Sequence, residues 1–112
     1  MSIRIIKINE LIKNELSLLI HKEFAEKFGI INVNAVNTSK DMKLSRIYIS
    51  SLGNIPKNTL IGNLQKKAFN FQKILAKKIT AKFIPKLEFI YDGSMENISK
   101  VDKLLYVIEE EN

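Results

Sequence analysis

The chain has no cysteine and no tryptophan among its 112 residues, and it carries one histidine, two prolines and four glycines. The missing thiols exclude a disulfide scaffold, a zinc ribbon and a thiol nucleophile, and they fit a reducing compartment. Long apolar runs are missing too. The longest, Leu104–Ile108, falls far short of the ~20 residues that a membrane span needs. Residues 1–10 alternate isoleucine with Arg4, Lys7 and Glu10 and hold no apolar block of ~7–15 residues, so no secretory signal is expected. The cytoplasm is the expected address, with no membrane partner.

The lone His21 has no histidine or cysteine companion, and Asp41, Asp92 and Asp102 are scattered, so a structural role is expected for His21 and no metal site for the chain. Gly29, Gly53, Gly62 and Gly93 are isolated, which excludes a glycine-rich phosphate loop. No serine or threonine has a histidine base beside it in the pattern. The chain is therefore expected to be no enzyme, with no cofactor and no small-molecule substrate.

What is present is an ordinary globular composition, 46% hydrophobic and 27% charged, at a length that suits one domain over residues 1–112. Such a chain buries roughly 65% of the surface it exposes when unfolded, enough for stability without staples. No apolar surplus is evident in the composition, and a monomer is expected.

The charge is uneven. Eighteen basic residues face twelve acidic ones, a net charge of +6. Residues 1–53 contribute +3, residues 54–87 contribute +8 and residues 88–112 contribute −5. The middle stretch holds eight lysines and no carboxylate. A helix face that is merely solvated mixes signs and gains a few tenths of a kcal/mol per i,i+4 pair. One sign over 34 residues points instead to a polyanion such as nucleic acid.

Hydrophobic spacing sets the expected elements. Ile5, Ile8, Ile12, Leu16, Leu19, Ile20 and Phe24 form one stripe of a helix over 4–28, stopped by Gly29. Ile30–Val36 and Lys43–Ser50 read as strands of an antiparallel hairpin, with turn chemistry over Asn37–Asp41. Asn58 can cap a helix starting at Thr59. Its apolar side carries Ile61, Leu64, Ala68, Phe71, Leu75 and Ile79, and its opposite side carries Lys66, Lys73 and Lys77, flanked by Lys67 and Lys78. Asn70 is a weak helix former in mid-run that tolerates a kinked or left-handed backbone. Pro85 cannot continue the helix, and Lys86–Tyr91 reads as a third strand with Leu87, Phe89 and Tyr91 on one face. Asp92-Gly93-Ser94 opens a last helix over residues 94–112, whose end Glu109–Glu111 frays by repelling the helix dipole. Helices are expected on one face of a small mixed sheet, an α+β fold. Of the aromatics, Tyr48, Phe71, Phe89 and Tyr91 are expected in the core, while the spacing leaves the facing of Phe69 and Phe83 open.

Four blocks in this order resemble the ribosome-binding factor A family. Asp41-Met42-Lys43-Leu44-Ser45-Arg46-Ile47-Tyr48-Ile49-Ser50-Ser51-Leu52-Gly53 is similar to that family's Asp-Leu followed by Ala-x-Val-Tyr-Val-Ser-x-Leu-Gly. Ala68-Phe69-Asn70-Phe71-Gln72-Lys73 resembles its Ala-x-Gly-Phe-Ile-Arg. Lys82-Phe83-Ile84-Pro85-Lys86-Leu87-Glu88-Phe89 resembles its Arg-x-x-Pro-x-Leu-x-Phe, with Asp92-Gly93-Ser94-Met95-Glu96 after it for Asp-x-Ser-x-Glu. The first helix, with Arg4-Ile5 and Leu11–Leu16, also fits. The resemblance implies a KH-like domain of type II (αββααβ), in which a helix–kink–helix at Ala68 and Asn70 replaces the usual GxxG clamp, plus the C-terminal helix. It implies binding to free small (30S) ribosomal subunits, support of late maturation and processing of their 16S ribosomal RNA, and help to cells in the cold. Asn70 stands where the family has Gly, Ser45 where it has Ala, and Lys73 and Lys82 where it has Arg. Lysine keeps the charge but loses the bidentate, stacking geometry of arginine. No counterpart of the long basic tail of some members follows the last expected helix, so no RNA contact from a tail is expected.

The expected RNA contacts are therefore Lys66, Lys67, Lys73, Lys77, Lys78 and Lys82, with Arg4 and Arg46 as further candidates. They would act on phosphates as point charges that position the protein without reading bases, and the shape of the kink would select an RNA junction. The alternatives are a general KH-type nucleic-acid binder without ribosome specificity, and an adaptor that uses the Ile8 and Ile12 stripe on a protein partner.

Overall fold

The computed structural model describes residues 3–79 and 84–93. The chain runs α1 (Ile3–Phe28), β1 (Ile31–Thr38), β2 (Leu44–Ser51), α2 (Lys57–Ile79) and β3 (Lys86–Tyr91). The expected helix over 94–112, Phe83 and the candidate contact Lys82 lie outside the described residues.

α1 buries Ile5, Ile8, Ile12, Leu16, Ile20 and Phe24, the 3–4 spacing of a single helical stripe. Its end is local chemistry. Gly29 takes φ 71° and donates its N–H to the Ala25 carbonyl at 2.9 Å, a left-handed C-terminal turn that glycine adopts without a Cβ clash.

β1 and β2 pair antiparallel, and β2 and β3 pair parallel, in the order β1-β2-β3. Parallel neighbours cannot be joined by a tight turn, so α2 serves as the crossover between them. Two details of β1 depart from the sequence expectation. The strand continues through Asn37 and Thr38, which pair with Arg46 and Ser45. It does so because the Thr38 side chain is buried and hydrogen-bonded to Asn9 and Ser45. A register shift between Val33 and Ala35 makes Asn34 the extra residue of a bulge. The alternation changes phase there, so Val36 packs on the core and Ala35 is exposed. The Asn34 amide donates to Ser50 Oγ at 3.1 Å and to Asp92 Oδ2 at 3.0 Å.

The turn from β1 to β2 is held from within. Ser39 N–H bonds the Leu44 carbonyl at 2.8 Å, and Met42 N–H bonds the Ser39 carbonyl at 2.9 Å with Met42 at φ 61°. Asp41 Oδ1 accepts from Ser39 Oγ at 2.6 Å and from Lys43 N–H at 3.0 Å. The Ser39 hydroxyl first, and then the Lys43 amide, hold the Asp41 carboxyl below its ordinary value of 3.8.

Both helices lie on one side of the sheet. Ser45, Ile47 and Ile49 of β2 and Leu87 and Phe89 of β3 point at them and are buried. Phe71 bridges the layers, with Phe24 at 6.5 Å and Phe89 at 6.4 Å, both edge-on, the arrangement that aromatic quadrupoles prefer. The surface is less polar than composition suggests. Ile3, Ile6, Leu11, Leu18, Ile30, Leu52 and Phe69 stay exposed.

α2 begins at Lys57, two residues before the expected start. Leu60 N–H donates to the Pro56 carbonyl at 3.1 Å, so Asn58 lies inside the first turn and does not cap it. The helix then runs unbroken to Ile79 through Ala68 and Asn70, and no residue of it has a positive φ. The expected helix–kink–helix is thus a single helix. Asn70 needs no special backbone here, because its exposed side chain faces water and the buried Ala68 and Phe71 on either side hold the helical register.

Candidate nucleic-acid interface

α2 buries Leu60, Leu64, Ala68, Phe71 and Leu75. That stripe fixes which way the rest of the helix looks. Lys66, Lys73, Lys77 and Lys78 are exposed and Lys67 is half-buried, all on the outer side. The segment contributes no carboxylate of its own, but α1 does. Lys67 Nζ meets Glu23 Oε1 at 3.1 Å and Lys78 Nζ meets Glu15 Oε2 at 3.8 Å. So the lysine face is not wholly unshared. The acids sit a helix away in sequence, and a helical wheel of α2 alone does not show them. Both pairs are solvent-exposed and worth ~0–1 kcal/mol each, so a phosphate can compete for either lysine. Among the described residues, Lys66, Lys73 and Lys77 have no carboxylate within ion-pair distance.

The other candidates lie elsewhere. Arg46 is on the face of the sheet turned away from the helices. It meets Glu88 across the β2–β3 ladder at 3.9 Å. Arg4 sits in the first turn of α1 and lines a cleft of about 740 Å³ with Asn37–Lys40 and Met42. Of the expected contacts among the described residues, five lysines thus share α2 and two arginines lie apart from it.

Two side chains beside the patch were not among the expected contacts. Lys86 is exposed at the start of β3, where its N–H is tied to the Lys43 carbonyl at 3.0 Å. Its signal in the sequence was membership of the carboxylate-free stretch. Phe69, whose facing the spacing leaves open, is 67% exposed, with Lys73 Nζ 4.6 Å from its ring centroid. Only the position of Ala68 in the buried stripe determines this, by turning Phe69 ~100° away from the core. Between α2 and β3, Gln65 meets the edge of β3 that no other described strand pairs. Its amide donates to the Leu87 carbonyl at 2.9 Å and accepts from Phe89 N–H at 3.0 Å, so part of the open ladder is paired by a side chain.

Among the described residues no three His, Cys, Asp or Glu side chains gather as a metal would require, and His21 is exposed on α1. No described helix is long and apolar enough to cross a membrane. What the patch offers chemically is a row of ammonium groups on a rigid helix, suited to phosphate contacts that orient a nucleic acid.

A sequence model described as ribosome-binding factor A matches residues 4–105. A ribosome-binding factor A from Zymomonas mobilis is 33% identical over 109 residues, which cover 93% of this chain and 77% of that protein. The crystal structure of ribosome-binding factor A from Thermus thermophilus superposes with a TM-score of 0.69 at 20% identity, covering 78% of this chain and 94% of the other. A homology model of the Thermus thermophilus factor, as fitted into the cryo-EM map of a 30S complex, gives 0.66 at 20% identity, covering 76% and 91%. Element order and these solved relatives place the fold in the α+β, KH-like class.

Proposed function

The chain belongs to the ribosome-binding factor A family, and from that membership we propose that it binds free small (30S) ribosomal subunits and assists late maturation and processing of their 16S ribosomal RNA. The observation that carries the mechanism is the outer face of α2, where Lys66, Lys73 and Lys77 stand exposed with no carboxylate partner among the described residues. The Thermus relative fitted into a 30S complex supports the choice of partner.

Lys66, Lys73 and Lys77 contact ribosomal RNA phosphates. Lys67 and Lys78 join by exchanging Glu23 and Glu15 for phosphate, and Lys82 is a further proposed contact. Arg4 and Arg46 make separate contacts, Arg46 only by leaving Glu88. Each neutralised phosphate adds about −0.7 to −0.9 to the slope of log affinity on log salt, so the three to five contacts from α2 alone give a slope between about −2 and −4.5. Binding favours one RNA arrangement over its competitors, which is how a protein without catalytic groups assists maturation and processing. The factor acts as a monomeric single domain in the cytoplasm, with its demand greatest in the cold.

Co-sedimentation of the purified chain with free small subunits, large subunits and assembled ribosomes tests the partner. The expected result is salt-sensitive binding to free small subunits alone. Equal binding to all three particles would instead mark a general nucleic-acid binder.

A further inference from the structure

We propose that Phe69 is a stacking platform for one unpaired base of single-stranded RNA, with Lys73 and Lys86 holding the phosphates of that nucleotide. The inference rests on the lysine-face reading above and names the kind of RNA that the face takes.

Phe69 is 67% exposed on a helix where Leu60, Leu64, Phe71 and Leu75 are 0–2% exposed and Ile61, Ile74 and Ile79 are half-buried. Lys66 and Lys73, three residues before it and four after, are its neighbours on the helix surface. Lys73 Nζ lies over the ring at 4.6 Å, a cation–π contact that keeps an ammonium group beside the aromatic face. The ring also forms one wall of a shallow groove of about 240 Å³, whose remaining walls are Gln65, Ala68, Gln72, Lys86 and Leu87.

That groove is built to stay open. Gln65 is fixed to β3 by its two bonds to Leu87 and Phe89, and Gln72 donates to the Ile84 carbonyl at 2.7 Å. The two glutamine side chains that line the groove are thus tied down to backbone. The site is smaller than the ~300–1,000 Å³ that enclose a whole small molecule, and suits a flat group laid against a ring. An apolar peptide would find a single ring among lysines. A nucleotide brings a π-face for the ring and an anion for the ammonium groups together. Bases in a duplex are already stacked, whereas loops and single strands leave them splayed and free to stack on an aromatic side chain.

Binding of a labelled single-stranded RNA, and of a duplex of the same length, is measured at several salt concentrations for the wild type, Phe69→Ala, Phe69→Trp and Lys73→Glu/Lys77→Glu. Circular dichroism checks that each is folded. Phe69→Ala weakens single-strand binding about tenfold and leaves duplex affinity and the salt slope unchanged. Phe69→Trp binds as the wild type does, and its indole, the only one in the chain, is quenched by the single strand and not by the duplex. Wild-type-like single-strand affinity in Phe69→Ala, or an equal loss on both RNAs, overturns the platform while the lysine face stands. Salt-independent binding by the wild type, unchanged in the double lysine variant, overturns both.

Discussion

Thr38 is the middle of a three-member polar chain under the sheet, and its removal has a calculable cost. Its hydroxyl donates to Asn9 Oδ1 at 2.5 Å, so the 2.8 Å contact with Ser45 Oγ is donated by serine. Thr38 is 5% exposed and Ser45 0%. Thr38→Val keeps the shape and removes both bonds. The two bonds are worth about 1 kcal/mol net, and the stranded Ser45 hydroxyl, which water cannot reach, adds about 1–2 kcal/mol. Asn9 is only half-buried, so water satisfies its oxygen at little cost. The total is about 2.5 kcal/mol, a fall in Tm of roughly 10 °C for a domain of this size. Ser45→Ala loses one bond and strands no donor, costing about 0.5 kcal/mol. The double variant then costs about 1 kcal/mol, less than the ~3 kcal/mol sum, because the orphaned hydroxyl is gone. Urea denaturation followed by circular dichroism measures all three against the wild type. Strict additivity, or a Thr38→Val cost under about 0.5 kcal/mol, would refute the buried chain.

Two further outcomes follow from the charges. Asp41 is held below 3.8 by Ser39 and the Lys43 amide; a depressed acid stabilises above its unfolded pKa and loses that contribution as pH falls through its folded pKa. Wild type is therefore more stable than Asp41→Asn at neutral pH, and the gap closes on acidification below 3.8, measured by thermal unfolding across pH. Glu15→Gln/Glu23→Gln leaves Lys78 and Lys67 with no ion pair to give up, so affinity for small-subunit RNA rises while the number of phosphate contacts, and with it the salt slope, stays the same, read by titration at several salt concentrations.

Most of the scaffold was legible because it is periodic. The α1 stripe from Ile5 to Phe24, the third strand over Lys86–Tyr91 and the core face of α2 each follow from spacing alone. The misses fall where tertiary partners override local preference. Asn37 and Thr38 have turn chemistry, yet Thr38 is drawn into β1 by Asn9, 29 residues away. The Asn34 bulge reverses the alternation, since its amide is engaged by Ser50 and Asp92. Asn70 signals a kink in isolation, but a buried residue on either side keeps α2 continuous.

The site was half legible for the same reason. Lysine spacing on α2 identified the face, because a helix converts sequence interval into direction. It could not show that Glu23 and Glu15 of α1 reach two of those lysines, or that Arg46 faces Glu88 on the other side of the sheet. Nor could it weigh Lys86, which enters the site only because β3 lies beside α2 with Gln65 between them. Contacts between elements carry no local signature, and single-sequence patterns stop there.

If the outer face of α2 neutralises RNA phosphates as proposed, its lysines set the salt dependence of binding. The direct test is the slope of log affinity on log salt for small-subunit RNA, wild type against Lys66→Gln/Lys73→Gln/Lys77→Gln. Three lost phosphate contacts make the slope shallower by about 2 to 3. Parallel lines for the two proteins would contradict the account, whatever their difference in affinity.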